Sequence, residues 1–318
     1  MRELESGSGL VRVALRALLS MRKRPGTITA LPPAALALSE RTVDLAHLSR
    51  YRSICGFDDT GPIPLTYPQV LAFPLLIEYL LSTDCPWPAI GLLHVANSIR
   101  QRRPLDANER FRVELRTGAL ASHPRGQAFS IELSVRVRDE TIWEATQTLL
   151  RTGVQSPAGE ALTIAGLDDG PGSPAWLRLG DREAPADIGR RYAAVSGDFN
   201  PIHLSAFSAR LSGLPTAIAH GLWTQASALA LLERAASRTG TQAPRSAASA
   251  SGYPCINQIV TRFMAPVRLP AKLSLWSGSP EAPMVLEVRD GSGERVHLRS
   301  QIGYHTATCS AATPNWNS

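Results

Sequence analysis

Apolar and polar residues alternate along several short segments in both halves of the chain. Runs with a period of two are typical of strands that bury one face. A longer apolar segment precedes the strands of each half, at residues 67–81 and 221–233, and its length predicts a helix. The runs predicted as strands lie at residues 99–105, 111–115, 129–137, 142–150, 260–267, 273–276, 284–288 and 296–304. Each half therefore reads as one helix followed by antiparallel strands, which is an α+β unit.

The two halves share this order of elements, which indicates an internal duplication. Pro104 and Pro266 follow similar arginine-containing segments and lie 162 positions apart, about half the chain length. A sheet that wraps around one helix, repeated twice, predicts a pseudo-dimer within a single chain. Further boundaries come from composition. Residues 151–175 are dense in Gly and Pro and predict a linker, and residues 234–252 predict a mobile loop.

These boundaries divide the chain into two repeats with shorter segments around them. The lead-in is expected to hold a short amphipathic helix, and the tail is expected to fray. The predicted segments are a lead-in at 1–35, a first repeat at 36–152, a linker at 153–175, a second repeat at 176–308 and a tail at 309–318.

Composition narrows the classes of function. The chain is 44% hydrophobic and 19% charged, as globular proteins are, and its net charge is +6. Arginine dominates that charge and suits phosphate recognition, but no nucleic-acid-binding signature is present. The four cysteines show no metal-ligand spacing and fit a reducing cytoplasm. We expect no metal, no nucleic-acid partner, no signal peptide and no stable membrane insertion, because no apolar stretch approaches the ~18 residues of a membrane span.

The most informative segment runs YAAVSGDFNPIH from Tyr192 to His203, with His220 and Gly221 downstream. Ser-Gly-Asp and Asn-Pro form turns, so Asp198 and His203 are expected at the start and end of a tight loop after a short helix. A carboxylate and an imidazole facing one ligand can act as general base and general acid. Backbone N–H groups at the helix that starts at Gly221 can stabilise a developing oxyanion. Taken singly, each of these residues has an ordinary structural role, which we prefer for His220.

The segment resembles the MaoC-like (R)-specific enoyl-CoA hydratase and 3-hydroxyacyl-thioester dehydratase family, whose fold is the hotdog. The first half, with PLTYP at residues 64–68 and the segment 99–105, is similar to the degenerate first repeat of double-hotdog members. The resemblance covers residues 40–305 and implies a double hotdog. It implies that Asp198 and His203 are catalytic, that Asn200 orients them, and that Gly221 and Ser196 contact the substrate around its oxyanion.

The chain departs from the resemblance in two places. Some single-hotdog hydratases have a supporting serine at the place where Leu229 stands here; Ser227 and Thr224 lie nearby, without an assignable role. The first half repeats the spacing of the motif at residues 51–56 but has no histidine between Gly56 and Tyr67, so Asp58 and Asp59 are expected to be ordinary loop residues. One chain is therefore expected to carry one active site, with the first half binding the acyl chain.

The implied function is the reversible hydration of trans-2-enoyl thioesters to (R)-3-hydroxyacyl thioesters in fatty-acid metabolism, without a cofactor. A non-catalytic acyl-thioester-binding protein and a hotdog thioesterase are the alternatives. The expected partner is an acyl-CoA or an acyl-carrier-protein thioester, and a further homodimer is left open. The candidate arginines for contact with the carrier phosphates are Arg100, Arg102, Arg103, Arg262 and Arg268.

Overall fold

A computed structural model describes residues 1–4, 10–23, 26–154, 159–164, 167, 176–239, 256–278 and 284–304. Within these ranges the chain forms helices and strands in two successive groups. The helices are α1 (Leu10–Ser20), α2 (Leu45–Cys55), α3 (Tyr67–Leu81), α4 (Ile188–Ser196), α5 (Pro201–Leu204), α6 (Ala206–Leu211) and α7 (Gly221–Thr239). The strands are β1 (Arg2–Glu3), β2 (Ala35–Arg41), β3 (Leu92–Gln101), β4 (Phe111–His123), β5 (Gly126–Val137), β6 (Glu140–Thr152), β7 (Glu160–Ala161), β8 (Leu177–Ala184), β9 (Ile256–Phe263), β10 (Ala271–Ser277), β11 (Met284–Asp290) and β12 (Val296–Tyr304).

One continuous sheet joins the strands of both halves. Its order is β1-β2-β4-β5-β6-β3-β9-β12-β11-β10-β8, and β7 pairs with β4 at the side. Strands β3 and β9 pair antiparallel in the middle, with Ala96 opposite Arg262 and Arg100 opposite Gln258. Each half thus contributes one contiguous part of the sheet, and the pair β3 and β9 is the junction between them. The fold is a double hotdog of the α+β class.

The two long helices pack inside the curved sheet. Helix α3 is apolar almost all round, with Leu75 and Tyr79 fully buried, which is typical of a helix enclosed by protein. Helix α7 buries Trp223 and Ala226 in the same way. Both helices belong to one hydrophobic cluster that also contains residues of the sheet. The predicted arrangement, in which a sheet wraps one helix in each repeat, is therefore confirmed.

A chain of buried amide and hydroxyl groups crosses the junction. The Gln69 side chain donates to Asn97 Oδ1 at 2.6 Å, and Asn97 Nδ2 donates to Gln225 Oε1 at 2.8 Å. Gln225 Nε2 then donates to Thr261 Oγ1 at 2.7 Å, and Thr261 pairs with the hydroxyl of Ser300 at the same distance. All five side chains are buried. This series of hydrogen bonds links both long helices to the junction strands. The buried polar groups are thus hydrogen-bonded to one another, as buried polar groups usually are.

Most predicted elements occur, with differences at their ends. Helix α3 has the predicted bounds, but α7 continues to Thr239 instead of ending near residue 233, so the prediction of a loop from residue 234 is wrong over its first six residues. The remainder of that loop and the tail lie outside the described residues. The linker contains the two-residue strand β7, and strands β2 and β8 were not predicted. No helix among the described residues is long and apolar enough to cross a bilayer.

Replacing Asn97 by leucine should lower the free energy of unfolding by roughly 2 kcal/mol or more. The substitution keeps the number and branching of the side-chain heavy atoms but leaves the Gln69 amide and Gln225 Oε1 without their partner, and each unpaired group costs ~1–3 kcal/mol. Urea unfolding measures the change. The matched control is Asn108→Leu at an exposed position, which should stay within ~0.5 kcal/mol of the parent protein. Equal stabilities of the two variants would contradict a stabilising role for the buried polar chain.

Candidate active site

The loop that carries Asp198 begins where helix α4 ends at a glycine. Gly197 adopts the left-handed conformation, with φ 78°, and its N–H donates to the carbonyl of Ala193 at 2.9 Å. Glycine is favoured there because left-handed backbone carries no Cβ penalty. The first half ends α2 in the same way at Gly56, whose φ is 91°. The two repeats therefore share this turn, and they diverge in sequence directly after it.

Hydrogen bonds between neighbouring residues of the loop hold Asp198 in place. The Asp198 N–H donates to Ser196 Oγ at 3.2 Å, and the Asn200 N–H donates to Asp198 Oδ1 at 3.2 Å. Asn200 Oδ1 accepts from the Ile202 N–H at 3.4 Å, which makes Asn200 the N-cap of α5. Ser196 and Asn200 thus support the loop from inside. A contact of Ser196 with substrate remains a prediction.

His203 lies within the one-turn helix α5, not at the end of a loop as the sequence suggested, because Asn200 and Pro201 start a helix there. Its side chain is buried, and Nδ1 lies 2.8 Å from the carbonyl oxygen of Ile218. Since a carbonyl can only accept, Nδ1 carries the proton and the neutral ring keeps its lone pair on Nε2. Burial lowers the pKa of His203, while the charge of Asp198 opposes that shift.

Gly189 allows His203 to take this position, and sequence reasoning did not find it. A Cβ at Gly189 would lie 1.8 Å from the carbonyl oxygen of His203, so any larger residue would push α4 and α5 apart. Helices α4 and α5 therefore meet backbone to backbone. The only signal in the sequence was a glycine inside an otherwise helical segment, and a glycine in such a segment does not reveal which neighbour approaches it.

His220 joins the loop to the start of α7. Its Nε2 donates to the backbone carbonyl of Asp198 at 3.0 Å and lies 3.8 Å from the carboxylate oxygen Oδ2. The ring stacks on that of His203 with centroids 3.7 Å apart, and Tyr192 packs at 5.0 Å. Burial and the neighbouring His203 lower the pKa of His220 to about 3, so the ring is neutral. These contacts support the structural role expected for His220.

Gly221 opens helix α7, whose first N–H groups have no acceptor within the helix. The ring of Phe263 lies against this glycine, and a Cβ at position 221 would be 2.9 Å from Phe263 Cε1. The partial positive charge of a helix start favours an anionic oxygen at this point. The Gly221 N–H can therefore stabilise an oxyanion. It lies next in sequence to His220, which is hydrogen-bonded to Asp198.

The donor atoms of Asp198, His203 and His220 all lie within 4.8 Å of one another, close enough to surround a metal ion. Two ring nitrogens of this group, His203 Nδ1 and His220 Nε2, donate to backbone carbonyls and have no lone pair to offer. The lone pairs that remain on the rings are those of His220 Nδ1, which is buried without a hydrogen-bond partner among the described residues, and of His203 Nε2, which forms the candidate pair with the carboxylate. A pair of this kind fits proton transfer better than the closed ligand sets of protein metal sites.

The candidates for a supporting serine lie farther along α7. Thr224 Oγ1 donates to the carbonyl of His220 at 3.2 Å, Leu229 is buried, and Ser227 Oγ has no hydrogen-bond partner among the described residues. Ser227 lines a small cavity together with Arg182, away from the loop. Thr224 therefore supports the start of α7, and none of the three residues contacts Asp198 or His203 in the described structure.

The first-half aspartates and the arginines occupy ordinary surroundings. Asp58 is exposed and lies 3.5 Å from Arg234, which fits the prediction of a loop residue. Among the arginines, Arg103 pairs with Glu109 at 2.9 Å and Glu140 at 3.2 Å, and these pairs compete with any phosphate contact. Phe73 of α3, in the first half, lies next to the loop. A Cβ placed on Gly197 would be 3.0 Å from the Cδ1 atom of its ring.

Comparisons with known proteins show the family of the chain. Residues 172–276 match the family model "MaoC like domain". The chain is 31% identical to 3-hydroxyacyl-thioester dehydratase X of Mycobacterium tuberculosis over 86% of its own length and 90% of the relative. The chain belongs to the MaoC-like dehydratase family. It is therefore a hydro-lyase.

Solved structures support the same fold. The crystal structure of HtdX of Mycobacterium tuberculosis matches with a TM-score of 0.66 and 28% identity, covering 85% of this chain and 99% of that one. A conserved protein of the same organism, described as having a double hotdog fold, matches with a TM-score of 0.54 and 13% identity over 87% of this chain and 94% of its own. The second likeness supports the fold alone. For this MaoC-like dehydratase the double-hotdog prediction is confirmed.

Gly189→Ala should lower both stability and activity. The added Cβ would overlap the His203 carbonyl, and overpacking of this kind costs ~1–3 kcal/mol. Displacement of His203 should reduce kcat roughly 10-fold or more, because catalytic geometry tolerates little movement. The control is Gly180→Ala, whose Cβ would lie at an ordinary 3.7 Å from Leu231. Denaturant unfolding and steady-state kinetics measure both variants, and a fully active Gly189→Ala enzyme would rule out the tight contact.

The pH dependence of kcat/KM should show an acidic limb with a midpoint below 6.5, the usual pKa of histidine. Burial lowers the pKa of His203, so the neutral ring persists into mildly acidic solution. Stability should also fall as pH drops below 6.5, because the unfolded chain then binds protons that buried His220 cannot accept until its pKa of about 3. Thermal melts at each pH define the range in which the enzyme is folded. A midpoint above 6.5 within that range would contradict the prediction.

Proposed function

We propose that the protein catalyses the reversible addition of water to trans-2-enoyl thioesters, giving (R)-3-hydroxyacyl thioesters in fatty-acid metabolism. One observation carries the assignment of the residues. The Nδ1 proton of His203 is held by the Ile218 carbonyl, which leaves the lone pair on Nε2, and a ring nitrogen of His203 lies within 4.8 Å of a carboxylate oxygen of Asp198. The (R) configuration rests on membership of the MaoC-like family.

The proposed reaction uses Asp198 and His203 on one water molecule. His203 Nε2 takes one proton from the water. The Asp198 carboxylate accepts a hydrogen bond from the other O–H of the water and stabilises the imidazolium that forms. The water oxygen bonds to C3, and the electrons of the double bond move onto the thioester oxygen. The Gly221 N–H stabilises that oxyanion. The imidazolium then returns the proton to C2, which completes the addition of H and OH.

The surrounding residues keep this pair in place. Asn200 caps α5 and so orients His203, Ser196 supports the Asp198 backbone, and neutral His220 holds the Asp198 carbonyl. Because His220 stays neutral, it places no second positive charge beside His203. The negative charge of Asp198 can then stabilise the imidazolium of His203 without opposition from His220.

The carrier and the setting of the enzyme belong to the same proposal. The substrate is a thioester of coenzyme A or of acyl carrier protein, with Arg100 and Arg268 as exposed candidates for phosphate contacts. Cytoplasmic location rests on the cysteine content, and Cys55 and Cys85 are free thiols in the described structure. A homodimer of the double-hotdog chain remains a prediction.

Asp198→Asn and His203→Gln should each lower hydratase activity by ~10²–10⁴-fold, the usual contribution of a general acid–base group. Crotonyl-CoA is the substrate, and loss of enoyl absorbance without release of free thiol measures hydration. Asp58→Asn changes an exposed aspartate of the first half and is the matched control, which should keep its activity. Chiral analysis should find the (R) product.

Each other outcome of this assay identifies a different function. Release of free thiol by the parent protein would indicate a thioesterase. Binding of thioesters without turnover would indicate a binding protein. Near-parental rates in either dyad variant would overturn the assignment of the catalytic residues.

A further inference from the structure

A histidine of the first half lies beside the proposed active site. His94 is near the start of β3, the strand that forms the junction with the second half. The pairing of β3 with β6 shifts register between His94 and Ala96. Such irregularities redirect side chains and are common next to active sites. A lone histidine is usually structural, so sequence alone gives His94 no functional role.

The aromatic ring of Phe263 connects His94 to the start of α7. The His94 and Phe263 rings have centroids 4.9 Å apart at an interplanar angle of 58°. Phe263 in turn lies against Gly221, where a Cβ would be 2.9 Å from its ring. His94 is therefore separated from the proposed oxyanion donor by a single side chain.

His94 offers one polar atom that the protein does not use. The backbone of Ala96 raises the pKa of His94, as a carbonyl beside Nδ1 would, whereas Nε2 is buried without a hydrogen-bond partner among the described residues. A buried nitrogen without a partner is uncommon in folded proteins, and a bound ligand would satisfy it. Burial lowers the pKa of His94 to about 4, with Asp198 opposing the shift, so the ring is neutral and Nε2 is an acceptor.

We propose that His94 Nε2 accepts a hydrogen bond from the bound thioester, so that the first half supplies a polar contact to the active site of the second. This inference rests on the proposed function. The chemistry required is a neutral hydrogen-bond donor close to the reacting carbons. Two groups of the substrate provide it, the hydroxyl at C3 of a 3-hydroxyacyl chain and the amide N–H of the carrier arm.

His94→Phe and His94→Gln separate the acceptor from the shape of the ring. Phenylalanine keeps the packing against Phe263 and removes the acceptor, whereas glutamine supplies an acceptor oxygen of similar reach. A neutral hydrogen bond corresponds to roughly a 3- to 10-fold change in affinity. We therefore expect His94→Phe to raise the KM for (R)-3-hydroxybutanoyl-CoA by about that factor, and His94→Gln to recover most of it.

Butanoyl-CoA, which has no group at C3, distinguishes the two donors. If the hydroxyl is the donor, calorimetric binding of butanoyl-CoA to His94→Phe matches the parent protein. If the carrier amide is the donor, the affinity for butanoyl-CoA falls by the same factor as for the hydroxyacyl thioester. Either pattern supports the contact. Unchanged values for both ligands in a folded His94→Phe protein would overturn it.

Two controls keep the test separate from folding and from the proposed function. Thermal melts of both variants verify folding; if His94→Phe is unstable, His94→Leu takes its place. The half-buried His123, at the end of β4, provides the matched control, His123→Phe, which should leave the affinity for both ligands unchanged. A parent protein that binds these thioesters without hydrating crotonyl-CoA would refute the proposed function, while the butanoyl-CoA comparison would still test the contact.

Discussion

The pairing of β3 with β9 is the constraint on which the rest of the structure depends. It joins two half-sheets into one. Asn97 of β3 is hydrogen-bonded to both Gln69 of α3 and Gln225 of α7, so the two long helices meet the junction at the same residue. Amides buried in this way tolerate only one register, since a slip of one residue would leave several donors and acceptors unpaired. Hydrophobic contacts alone would allow more alternatives. The buried polar chain therefore fixes how the second half sits on the first.

Gln225 lies one turn beyond Gly221, so the junction also determines where the start of α7 lies. A second contact acts at the same end of the helix, because Trp223 Nε1 donates to the carbonyl of Ile54 in α2 at 3.1 Å. His220, just before the helix, then holds the Asp198 carbonyl. The position of Asp198 thus follows from the junction through a short series of backbone and side-chain contacts. A site built on rigid elements in this manner is more exact than one built on loops alone.

Local sequence predicted the parts of this arrangement that local physics controls. The apolar segment of α3 gave both of its ends, and the run from Tyr192 to His203 gave the turn at Gly197 and the two titratable groups. The contacts between elements were beyond such reasoning. The need for glycine at position 189 arises from a carbonyl fourteen residues later, and the environment of His94 arises from the other half of the chain. Both depend on tertiary packing, which a period of two or 3.6 does not encode.

The loops of the two repeats are stabilised by different side chains. Arg52 follows Tyr51 in the first half, at the place that Ala193 takes after Tyr192 in the second. The buried Arg52 guanidinium donates to the carbonyls of Gly61 and Pro62 at 2.7 and 2.9 Å, so it holds the loop after Gly56 from within. In the second half Ala193 is too small to reach the loop. There the side chains of Asp198 and Asn200 accept hydrogen bonds from backbone N–H groups of the loop itself. The side chains that stabilise the second loop are thereby the ones available for chemistry, whereas the first loop is stabilised by a cation that cannot act as a base at neutral pH.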